Sequence, residues 1–200
     1  MSQLTSKAER TRQFIIEKTA PVFNMKGFAG TSVSDLTQAT GLSKGSIYGN
    51  FENKDEVALA AFDYNFGLVA SYLKARMSEH ADSIERLLVY PKTFRNYLAL
   101  PFLQAGCPIL NTSTEADDTH PLLREKAANA LLEWRKTVQQ QISRGISRQE
   151  IKADTNSEEV AIVLISMTEG AIMQAKVLGN TEALKITMAY LEKFICSLRV

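Results

Sequence analysis

The segment Gly41–Phe51, GLSKGSIYGNF, sets Lys44, Ser46, Tyr48 and Asn50 close together among the apolar anchors Leu42, Ile47 and Phe51. An ammonium, two hydroxyls and a carboxamide on one short segment are of little use to a buried helix. They suit a nucleic-acid groove. Lysine reaches phosphates or the acceptors of guanine, asparagine can read adenine, and serine and tyrosine hydroxyls reach phosphate oxygens. Gly45 and Gly49 carry no side chain, so a helix through them could approach DNA closely. A structural cap is the other use open to Tyr48.

Local signals predict helices around this segment. Phe14, Ile15, Val22 and Phe23 recur at the helical period, and Gly27 stops that helix. Ser32 to Asp35, SVSD, reads as a capping box opening a second, short helix that Gly41 ends. Ser43 caps a third, running to about Asn50, and Asn53 caps a fourth. The second and third, joined by a glycine turn, have the outline of a helix-turn-helix with a small core of Val33, Leu36, Leu42, Ile47 and Phe51. The N-terminal residues of the second helix, Thr31 and Ser32, are expected to offer backbone N–H groups to a phosphate, and Lys54 to do the same on the other side. Lys7, Arg10 and Arg12 read more simply as a solvated helix face.

Beyond Asn53 the pattern changes to long amphipathic helices. One follows Asn53. Another starts near Ser83, is kinked at Pro91 and is ended by Pro101, and residues 105–120 read as a loop. Pro121 opens a third through Trp134 to about Gly145, and the last two cover about 156–178 and 181–198. No strand pattern competes. The expected fold is all-α, with about nine helices: a three-helix helix-turn-helix domain at 1–52 and a larger helical ligand-binding and dimerisation bundle at 53–200. Residues 1–54 hold seven Lys/Arg and four Asp/Glu, a net +3 that leaves −2 for the remainder. A basic amino-terminal unit suits a polyanionic partner.

The stretch TSVSDLTQATGLSKGSIYGNFENKDEV resembles the DNA-binding domain of the TetR/AcrR family of bacterial regulators. Gly27-Phe28, Thr31-Ser32-Val33, Gly41 through Gly45, Ile47-Tyr48, Phe51 and Asn53-Lys54 carry the resemblance. Asn50 departs from it, since many members have histidine or tyrosine there. The resemblance implies DNA contacts by Thr31, Ser32, Lys44, Gly45, Ser46, Tyr48, Gly49, Asn50 and Lys54. It also implies a homodimer on a palindromic double-stranded operator, with the last two long helices forming the subunit contact. Repression would be relieved by an apolar small-molecule effector, bound among large side chains such as Phe66, Phe94, Tyr97, Trp134, Met167 and Met173.

Cys107, after Gly106 and between long helices, admits two readings. One is an inert buried thiol. The other is a redox or electrophile sensor whose pKa is lowered by a helix start or by Lys176, as in some members of the family. Neither cysteine pairs with a histidine at zinc-ligand spacing, and no catalytic grouping or Gly-rich phosphate loop is present, so neither a cofactor nor enzymatic activity is expected. No apolar run approaches the ~20 residues of a membrane span, and a cytoplasmic location is expected. An activator of the same fold, or an all-helical carrier or enzyme, remains as an alternative to a repressor.

Overall fold

The computed structural model describes residues 6–200, so the first five residues of the expected amino-terminal domain lie outside the described residues. Helix α1 (Lys7–Lys26) begins in a capping box, in which Ser6 and Glu9 bond reciprocally to each other's backbone N–H. It ends at Gly27, whose φ of 71° is left-handed backbone that a side chain would oppose. Helix α2 (Val33–Thr40) opens in the expected Ser32–Asp35 box and ends at left-handed Gly41; α3 (Lys44–Tyr48) is capped by Ser43 and α4 (Lys54–Ser78) by Asn53. Helices α5 (Ser83–Phe94), α6 (Pro108–Ala116), α7 (Pro121–Ser147), α8 (Ser157–Leu178) and α9 (Glu182–Ser197) follow. The described residues are therefore all-α, with nine α-helices and two short 3-10 turns.

Two apolar clusters organise these helices, and α4 belongs to both. The smaller joins Ile15, Ala20 and Phe23 of α1, Leu36 of α2, Ile47 of α3 and Phe51 to Val57, Ala58 and Ala61 in the first turns of α4. The larger begins at Phe62, one residue further along the same helix, and gathers α5 to α9. A continuous helix thus replaces a flexible linker. Deeper along it, buried Asn65 donates Nδ2 to the Ala20 carbonyl of α1 at 2.8 Å, so the seam between the clusters is hydrogen-bonded as well as apolar.

Three expectations are corrected. Residues 105–120 are not a loop, because Pro108 starts the nine-residue α6. Its Asn-Thr-Ser-Thr composition favours turns, and long-range packing overrides that preference. Helix α5 ends at Phe94, well before Pro101; Pro91 sits in its last turn, where few hydrogen bonds remain to be lost. Finally, α8 is long and apolar enough to cross a membrane by length and composition. Here it packs against α7 and α9, with Leu164 and Ile172 fully buried, as the central helix of a folded bundle.

Candidate nucleic-acid interface

Helix α3 is held from behind and left bare in front. Ile47 is fully buried beneath it, whereas Ser43, Lys44, Gly45, Ser46 and Gly49 are exposed and Tyr48 and Asn50 are half-buried. Ser43 Oγ accepts the Ser46 N–H at 3.1 Å and lies 3.0 Å from Ser46 Oγ, fixing the first turn. A Cβ on Gly45 would meet only Ser43 Oγ, at 3.9 Å. Nothing inside the molecule therefore requires glycine in this helical position, where alanine would be favoured by up to about 1 kcal/mol.

Several charged groups of the unit are spent on its own framework. Arg12 donates Nη1 to the Asn50 carbonyl at 2.6 Å and Nη2 to Glu56 Oε1 at 2.7 Å, while its guanidinium lies 4.0 Å from the centre of the Phe51 ring. One arginine thus ties the end of α3 to α1 and α4. The backbone N–H of Glu52 and the Arg12 guanidinium together hold the Glu56 carboxyl below its ordinary range. The Asp35 carboxyl, pushed down to about 2 by Lys26 and by the Ser32 N–H and hydroxyl, stays ionised at any ordinary pH. Its contribution is lost only as pH falls through that value.

Part of the expected contact set is engaged within the unit itself. Thr31 is buried, its Oγ1 donates to the Gly27 carbonyl at 2.5 Å and its N–H to the Phe28 carbonyl at 3.3 Å. The Ser32 N–H donates to Asp35 Oδ2 at 2.8 Å. Neither N–H is free for a phosphate. Lys54 donates Nζ to the carbonyls of Phe28 at 2.9 Å and Thr31 at 3.0 Å, and lies 4.0 Å over the Phe28 ring, so it serves as a clamp. Asn50 donates Nδ2 to the Ser46 carbonyl at 2.9 Å, closing α3. The outward set is Lys44, Gly45, Ser46 and Gly49, with Tyr48 at its edge.

The unit is bolted to the larger bundle through α6. Glu115 accepts the N–H of Phe28 and of Ala29, one on each oxygen, both at 2.8 Å. Asn111 donates Nδ2 to the carbonyl and the Oδ1 of Asn24, and Asn24 in turn donates to the Gly106 carbonyl at 3.1 Å. At its other end α6 opens onto a cavity of about 680 Å³, whose walls include Cys107, Pro108 and Ile109. Phe66 and Val69 of α4, Tyr90 and Phe94 of α5, and Trp134 of α7 form its apolar part. The buried indole of Trp134 stands in this wall beside the Tyr90 hydroxyl, the two ring centroids 6.0 Å apart.

A family model described as "Bacterial regulatory proteins, tetR family" matches residues 15–61, and one described as "Tetracyclin repressor-like, C-terminal domain" matches residues 83–191. The chain belongs to the TetR family. It is similar to a TetR-family transcriptional regulator from Cytophaga hutchinsonii, with 48% identity, 99% of each chain covered and a TM-score of 0.94. A TetR regulator from Chloroflexus aurantiacus is 37% identical, with 96% of this chain and 98% of that one covered and a TM-score of 0.91. The transcriptional repressor DhaR of Mycobacterium sp. (strain GP1) is 28% identical over 177 residues, 86% of each chain. TetR-family proteins are DNA-binding transcriptional regulators and not enzymes, and the repressor named here is typical of them.

In this TetR-family chain the cavity takes Phe66, Phe94 and Trp134 from the expected pocket set and leaves out the rest. Tyr97 is buried in the core, Met167 is packed against it, and Met173 is half exposed on α8. Of the two readings of Cys107, the geometry matches the buried thiol. Cys107 does begin α6, but burial and then the Glu169 carboxylate push its thiol well above the ordinary range. Cys107 Sγ lies 2.9 Å from Glu169 Oε1, while Lys176 Nζ donates to Asn111 Oδ1 at 2.9 Å instead. Glu169 was missed in the sequence, where it is one acid on an apolar helix. Its Oε2 is sealed without a partner, and burial raises its carboxyl to about 7.

Two outcomes follow. Gly45→Ala leaves folding intact or stabilises it by up to about 1 kcal/mol, yet weakens DNA binding at least about tenfold; equal affinity in a fluorescence-anisotropy titration would show that Gly45 is not at the interface. Glu169 binds its proton more tightly folded than unfolded, so it withdraws stability as pH rises from about 4.5 to about 7. The Tm advantage of Glu169→Gln over the unmodified protein therefore widens across that window, and a constant difference would refute the assignment.

Proposed function

We propose that the protein is a repressor that binds a palindromic operator as a homodimer and is released when a small molecule enters the cavity. The observation that carries this reading is the bare leading turn of α3. Lys44, Gly45 and Ser46 are exposed, and the side chains of Lys44 and Ser46 make no bond among the described residues beyond the Ser43–Ser46 cap, while the neighbouring Arg12, Lys54 and Asp35 side chains are engaged in the framework. Lys44 supplies the charge-assisted phosphate contact, Ser46 and Tyr48 supply hydroxyls, and Gly45 and Gly49 let the backbone come close. Such a DNA-bound regulator works in the cytoplasm.

The homodimer rests on an apolar face that the described chain leaves open. Ile162, Met173, Val177 and Leu178 on α8, with Ile186 and Tyr190 on α9, are exposed on two helices that pack side by side. A second copy of the same face would cover it and set two α3 helices for half-sites about 34–36 Å apart. Release is routed through α6. Its first residues touch the cavity, and Asn111 and Glu115, one and two turns further, hold the end of α1. A ligand that moves α6 moves the small unit with it.

A mobility-shift titration of duplex DNA from upstream of the gene tests this directly. A retarded complex is expected, abolished by Tyr48→Ala and weakened steeply by salt. Lys44→Ala is expected to lower the log–log salt slope by about 1. A complex indifferent to all three changes would refute α3 as the DNA-contacting element.

A further inference from the structure

The cavity has a polarity that specifies its ligand. Along α5 its wall reads Arg86, Tyr90, Phe94, each four residues apart, so a cation and an aromatic ring stand about 12 Å apart on one helix face. Helix α7 repeats the order. Trp134 lies 5.7 Å from Phe94 and 6.0 Å from Tyr90 by ring centroids, and Gln141 Oε1 accepts from Arg86 Nη1 at 3.3 Å. The end of α4 closes the same polar pole, where Arg86 Nε donates to the His80 carbonyl at 2.8 Å and Met77 and Ser78 line the wall. Lys74, one turn earlier on α4, adds a second cation to the lining.

The positive charge at this pole is not answered from within. Arg86 is half-buried, forms no ion pair, and its Nη2 carries no hydrogen bond among the described residues. Arg144 and Arg148 are close enough to press electrostatically on it, with Glu150 as the opposing charge. Glu150 is already engaged by Arg148 Nε at 3.2 Å and by the Ser83 N–H at 2.8 Å. The one carboxylate in the lining, Glu133, adjoins Trp134 at the far end. A partly desolvated guanidinium with no carboxylate directly paired to it is costly, and an anion supplies what is missing through charge-assisted hydrogen bonds.

We propose that the cavity binds an amphipathic organic anion, its head group at Arg86 and Lys74 and its apolar body between Phe66, Phe94 and Trp134. This rests on reading the cavity as the effector site, and it goes further by fixing the charge and direction of the effector. Trp134 is the chain's single tryptophan, so its fluorescence reports occupancy without any DNA present. Decanoate, decanol and decylamine, which share one chain and differ in head group, are titrated into the purified protein. Decanoate is expected to bind about tenfold tighter than decanol, with decylamine weakest. Arg86→Gln removes most of that preference, and Arg86→Lys, which keeps the charge, retains most of it. Equal affinity for the three heads, tighter binding of decylamine, no binding of any, or an undiminished preference in both Arg86→Gln and Lys74→Gln overturns the proposal. If decanoate binds as expected but leaves DNA affinity unchanged, the ligand class stands and the effector role of the cavity fails.

Discussion

One carboxylate ties the amino-terminal unit to α6, alongside the continuous α4 that both apolar clusters share. Glu115 spends both oxygens on adjacent N–H groups, those of Phe28 and Ala29, just past the end of α1. The chain makes room for it with Gly27, where a Cβ would lie 2.2 Å from Glu115 Oε2 and where φ is already in the left-handed region. A charge-assisted pair of bonds is stronger and more directional than neutral ones. With Asn24 and Asn111 beside it, this contact makes α6 a strut between the cavity and α1. Helix α3 packs on α1, α2 and α4, and α1 and α4 in turn meet α6.

The distribution of polar groups follows from that constraint. A five-residue helix cannot hold its own orientation, since isolated helices shorter than ~12–15 residues are marginal in water. Its neighbours do the holding: Arg12 at its end, Ile47 and Phe51 beneath it, and Lys54 and Phe28 behind the turn. Surface ion pairs such as Lys26–Asp35 contribute little individually. Their value here is geometric, because each fixes side chains of the framework, while Lys44 stays the outward cation of α3.

What could be read from the sequence was local. The Ser32–Asp35 box, the Ser43 and Asn53 caps and the glycine stops at Gly27 and Gly41 are one-turn signals, and each stands where it was expected. The helix-turn-helix was legible for the same reason, whereas a cavity among large side chains was expected only from the family resemblance. What was hidden depends on residues far apart in sequence. Helix α6 looks like a loop until Asn24 and Phe28 meet Asn111 and Glu115 across more than eighty residues. Cys107 looks reactive until Glu169, sixty-two residues away, is beside it. Arg12 and Lys54 look like DNA or solvent contacts until the carbonyls of Asn50, Phe28 and Thr31 come within reach. Size singles out Tyr97, Met167 and Met173 in the sequence, and size does not say which side of a helix faces the cavity.

The most direct test of the proposed coupling is operator affinity measured with and without a saturating cavity ligand, in the unmodified protein and in Glu115→Ala. If α6 carries the signal, the ligand changes operator affinity by roughly 5- to 150-fold in the unmodified protein, and the factor collapses towards one when the Glu115 contact is removed. The same factor in both proteins would mean that the cavity and the recognition helix communicate by another route, and the strut would be reduced to a fold-stabilising contact.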